Sequence, residues 1–172
     1  MRIDAILLHG IQIEYSNDNS YEKLVNGTRS YLPLDFEVVF HPVNWSRIIE
    51  PRQEQLYKWL KPYYRGLNAT LSMGCKLIND IIAYAPPEAP PQEGDVYYEV
   101  HKEITDEYNR IKQKNPDSKI VFIGHSLGGQ IGITFAYRNK LDALITMGSP
   151  IVHYSTRFKG GGSYPPLLEP KK

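Results

Sequence analysis

The 172-residue sequence predicts an α/β fold: a parallel sheet of about four recognisable strands with helices on both faces, short at its C-terminal end. Three observations carry this expectation. Compact β-branched and aromatic runs alternate with longer segments whose apolar residues recur every three or four positions, the pattern of strand–helix–strand crossovers. Some of the runs are continuously apolar, as strands covered on both faces require. One of them, "IVFI", leads directly into the glycine-flanked Ser126, where a strand hands over to a helix.

Taken in order, Ile3 to His9 is the first strand, ended by Gly10. Asn19 or Ser20 caps a helix with Tyr21, Leu24 and Val25 inside it, ending near Pro33. Phe36 to His41 is the second strand. The next helix opens with Pro51 in its first turn and places Leu56, Trp59 and Leu60 on one face; Pro62 ends or kinks it. "LSMGCKLINDIIAY" carries a wide apolar stripe that predicts a largely buried helix. "APPEAPPQEGD" is a proline-rich surface connection.

Order then returns. Val96, Val100, Ile104, Tyr108 and Ile111 mark an amphipathic helix lying on a sheet, stopped by Asn115-Pro116-Asp117. "KIVFIGHS" is the third strand, "LGGQIGITFAYRN" the helix after it and "LDALITMGSP" the fourth strand. Beyond Pro150 the periodicity is lost. Neither side of the proline-rich stretch holds a complete sheet, so the expectation is one domain over 1–172 with a helical insert at about 45–95.

Composition narrows the function. Twenty basic and nineteen acidic residues give a net charge of +1, which leaves no electrostatic footprint for nucleic acid or an anionic membrane. The apolar stretch "AILL" is too short for a signal or a membrane span. Cys75 stands alone, so no internal disulfide forms and a reducing, cytoplasmic setting is expected. No spacing of His, Cys or carboxylates reads as a metal site, and no cofactor is expected.

Gly124-His125-Ser126-Leu127-Gly128 matches G-x-S-x-G. That spacing lifts a serine onto a strained turn above the sheet edge, with glycines where neighbouring backbone comes too close for a Cβ. It also leaves the Leu127 N–H at a helix start, where the macrodipole favours negative charge. The bland alternative is a serine that merely caps the helix. Earlier, "LLHGIQ" ends the first strand in His-Gly, either an ordinary strand-ending turn or one that lets the Ile11 N–H point at a developing oxyanion.

"AILLHGI", "VFIGHSLGG" and "LITMGSP", in this order, resemble the α/β-hydrolase superfamily, particularly its lipase and esterase members. The resemblance covers Ile3 to His41 and Lys119 to Pro150, and says little about Asn44 to Asp95. It implies a serine hydrolase that cleaves a carboxylic ester, a small-molecule acyl substrate, through an acyl-serine intermediate. Ser126 is then the nucleophile, and the backbone N–H groups of Ile11 and Leu127 form the oxyanion hole.

The sequence departs from that pattern at its end. The 22 residues after Pro150 contain no aspartate, one other carboxylate side chain (Glu169) and one histidine, His153, so the acid and base of a triad are not identifiable. His153 competes as base with a pocket-lining role. His125 reads as a packing or hydrogen-bonding residue, His9 as a brace for the oxyanion turn, His41 as part of a structural turn and His101 as solvated. Three readings stay open: a fragment of a longer hydrolase, a shortened enzyme with an unusual base, or a relative that kept the fold as a non-catalytic binding module. Tyr57, Trp59, Tyr63 and Tyr64 either pack the insert on the core or form a lid over an acyl pocket.

Overall fold

Four strands run parallel in the order β2-β1-β3-β4: β1 (Arg2–Leu8), β2 (Glu37–Val43), β3 (Lys119–His125) and β4 (Ala143–Met147). The computed structural model describes residues 1–10, 25–29, 31–33, 35–60, 62, 84 and 92–150. Three helices of named extent connect the strands: α1 (Ser46–Leu60), α2 (Val96–Lys114) and α3 (Leu127–Ala136). Residues 25–29 are also helical. The expected cap at Asn19 or Ser20 and, apart from Tyr84, the helix of residues 71–84 fall outside the described residues.

β1 lies between β2 and β3, with Ala5 opposite Phe40 on one side and Val121 on the other. Side chains alternate across a strand, so Ile6 and Leu8 share a face with Ile120 and Phe122. Against that face pack Val96, Val100, Ile104 and Ile111 of α2 and Leu127, Ile131 and Phe135 of α3. Ala5 and Leu7, on the opposite face, are 1% exposed; both sides of β1 are therefore covered, as its continuous apolar run predicts. Phe122 and Phe135 meet at 5.8 Å, and burying each ring is worth about 1.5–3 kcal/mol.

Two of the boundaries that differ from the expectation have a physical reason. β2 continues through Pro42 to Val43, with Pro42 opposite Leu7. At an edge strand the missing N–H of proline costs no ladder bond when it faces away from the sheet. α1 begins at Ser46 rather than around Pro51, which sits inside the helix and is exposed. Trp45 and Ile49 are buried and draw this earlier turn onto the core. The helix ends at Leu60, two residues before Pro62.

A polar network joins β1, β2 and the residue before β3. Asp4, 0% exposed, takes hydrogen bonds from Arg2 (3.1 and 3.2 Å), His41 (2.7 Å) and Ser118. Burial raises the pKa of its carboxyl, but the bonds from Arg2, Ser118 and His41 outweigh it and hold the group at about 2. His41 also reaches Glu107 on α2 at 2.9 Å. This histidine is therefore mid-strand and structural, two residues before the end of β2 rather than at its tip.

Candidate active site

The elbow forms where β3 stops at His125 and α3 starts at Leu127. Ser126 between them has φ 52 and ψ −123, and among the described residues it alone combines a side chain with positive φ. Such backbone costs about 1–3 kcal/mol and persists only where its surroundings enforce it. The enforcement is visible. The Ser126 N–H donates to the Met147 carbonyl at 2.8 Å, and its own carbonyl accepts from Gly129 N–H at 3.0 Å.

The flanking glycines are sterically required. A Cβ on Gly124 would lie 2.5 Å from the Gly128 carbonyl oxygen, and one on Gly128 would lie 2.5 Å from the Leu8 oxygen and closer still to that of His9. Backbone meets backbone in both places, so no side-chain motion relieves the overlap. Gly132 presses on the Phe122 ring and Gly129 on Ser149. The Ser149 hydroxyl is buried without a hydrogen-bond partner among the described residues, as is Gln130 Oε1.

Ser126 makes no side-chain cap to α3, so its hydroxyl is not consumed in the way the capping alternative supposes. At the first turn of α3 the leading N–H groups have no partner within the helix, and that of Leu127 is the first of them. Beside the serine lies Gly10: a Cβ there would come within 2.6 Å of Ser126 Cβ and 3.2 Å of His125 Nδ1. The turn ending β1 and the elbow ending β3 are thus in direct contact. The Ile11 amide lies outside the described residues, as do His153, Glu169, Tyr63, Tyr64 and the Tyr57 side chain.

The four described histidines have distinct settings. His9 is stacked on Trp45 at 5.3 Å and 18°, with Nδ1 2.5 Å from the Gly10 carbonyl and Nε2 3.2 Å from Asn44 Oδ1. Burial pushes its pKa down against the opposing effect of those contacts. It does brace the turn. His41 is bound between Asp4 and Glu107. His101 is not solvated: its ring lies 4.4 Å from Tyr97 and 6.0 Å from Tyr84, with Nε2 2.9 Å from the Tyr84 hydroxyl. Burial, with a smaller push from Arg138, lowers its pKa to about 3. His125 is exposed on the rim rather than packed inside.

Asp4 and Trp45 hold positions to which the local sequence pattern assigns no role. An acid in the middle of a buried strand is itself a signal, since an unpaired carboxylate would not be tolerated there. The Trp59 ring is 66% exposed. Among the described residues no helix is long and apolar enough to cross a membrane, and no His, Cys, Asp and Glu group could hold a metal.

A comparison with protein families matches residues 54–160 to lipase (class 3), a span that contains α2, β3, the elbow, α3 and β4. No curated protein and no solved structure matches the chain. The match and the all-parallel sheet agree with the α/β-hydrolase resemblance read from the sequence. With more than half of its residues matched, the chain belongs to the lipase (class 3) family, lipase-like hydrolases of the α/β-hydrolase superfamily.

Proposed function

We propose that the protein is a serine hydrolase that cleaves a carboxylic ester through an acyl-Ser126 intermediate. The observation that carries the reading is the backbone of Ser126: strained, glycine-flanked, at the end of a parallel strand, with its hydroxyl unused by the helix. In the reaction Ser126 Oγ adds to the ester carbonyl, and its proton passes through a base to the departing alcohol. Water then attacks the acyl-serine and releases the carboxylic acid. The tetrahedral oxyanion is held by the Leu127 N–H at the positive end of α3 and by the Ile11 N–H after the Gly10 turn.

The base is not His9, His41 or His101, whose rings are committed to contacts elsewhere. His153 is the candidate we retain. A single domain over 1–172 with an insert at about 45–95 is the organisation that fits this reading. The test is a fluorophosphonate probe followed by mass mapping. Covalent addition on Ser126, abolished in Ser126→Ala, supports an activated nucleophile. A folded protein that stays unlabelled and does not turn over short p-nitrophenyl esters is instead a non-catalytic binding module.

A further inference from the structure

We propose that Trp45 is a positioning residue for the oxyanion turn, fixing the His9–Gly10 backbone beside Ser126. The proposal rests on the reading of Ser126 as nucleophile and of the amide after Gly10 as an oxyanion donor. Trp45 lies at the β2–α1 corner, before the residues matched by the family, and is 0% exposed. Its indole N–H donates to the His9 carbonyl at 2.9 Å, and its ring carries the His9 imidazole in a near-parallel stack.

Both carbonyls of the turn are thereby anchored. The His9 oxygen is held by the indole and abuts Gly128 at the start of α3. The Gly10 oxygen is held by His9 Nδ1 at 2.5 Å. A peptide unit is planar and trans, so on the proposed reading the tether on the Gly10 carbonyl bears on the amide that follows it, the one assigned to the oxyanion. His9 Nε2 lies 3.2 Å from Asn44 Oδ1, which also accepts from Ser46 Oγ at 2.7 Å. A phenylalanine would fill most of the same volume in the core. The indole is required for its donor, and the donor acts on the turn.

Trp45→Phe tests this, because it keeps an aromatic ring beside His9 and removes the N–H together with part of the indole. The expected result is a kcat on a short p-nitrophenyl ester lower by roughly 10- to 100-fold, with KM within about threefold. Hydrogen exchange should rise in the peptide spanning residues 8–12 and not in β3. His9→Phe, which keeps the stack but cannot bond the Gly10 carbonyl, should reproduce both effects and serves if Trp45→Phe does not fold. A folded variant with unchanged exchange at residues 8–12 overturns the proposal, as does faster exchange there with kcat unaltered. If the wild type neither labels nor turns over esters, the catalytic reading fails by itself, and the exchange comparison still decides whether Trp45 anchors the turn.

Discussion

The amide of Ser126 is bonded to the carbonyl of Met147 at 2.8 Å, so the residue with the strained backbone is fastened to the neighbouring strand as well as to its own helix. The strain should be measurable. Ser126→Ala and Ser126→Gly both remove the hydroxyl, but only glycine adopts φ 52 without penalty. The glycine variant should be the more stable of the two by about 1 kcal/mol, after allowing for its greater unfolded-state entropy. Urea unfolding of the pair measures it, and equal midpoints would contradict a strained elbow.

Gly128 and Gly27 make a matched comparison. Gly128→Ala forces a methyl against the Leu8 and His9 carbonyls and should cost roughly 2–3 kcal/mol, or prevent folding. Gly27 lies in a helical turn with nothing within 4 Å of a Cβ. Gly27→Ala should stabilise by about 0.5–1 kcal/mol. Thermal melts of both variants would show shifts of opposite sign.

Acid should weaken the fold through Asp4. Its carboxyl is held at about 2 against an ordinary 3.8, so the folded state binds fewer protons than the unfolded one between those values. The stabilisation is complete above pH 4 and disappears as pH falls towards 2. Asp4→Asn should be less stable at neutral pH, with a flatter loss of stability across that window. Urea midpoints at pH 4, 3 and 2 provide the check.

A second acid response comes from His101. Burial depresses its pKa from 6.5 to about 3, so the unfolded chain takes up a proton over that interval before the folded one does. Stability from this group is therefore full above pH 6.5 and declines as pH drops towards 3. His101→Phe keeps an aromatic ring beside Tyr97 and Phe135 and cannot titrate. Its stability should fall less steeply between pH 6.5 and 4, measured by the same unfolding series.

The parts of the fold set by local pattern were readable in the sequence. β1, β3, β4 and α2 carry their own periodicity, and the glycines around Ser126 announce a close backbone crossing that the structure contains. What escaped depended on residues distant in the chain. α1 starts at Ser46 because Trp45 and Ile49 find the core, and no signal within the helix states this. His101 looked solvated by its place among Lys102 and Glu103, yet Tyr84 and Thr134 from elsewhere in the chain close over it. That β2 runs on through Pro42 was not legible, because the position of this strand at a sheet edge is a property of the topology.

β1 has one further consequence, for biosynthesis. It sits inside the sheet, yet one of its two flanking strands is encoded about 115 residues later, since Ile3 pairs with Lys119. At ribosomal speeds of about 5–20 residues per second, an apolar segment waits roughly 6–23 s for that neighbour. During the interval "AILL" is a sticky ribbon with a vacant flank. Yield in cells should therefore depend on holdase chaperones and on the pace of translation between these strands.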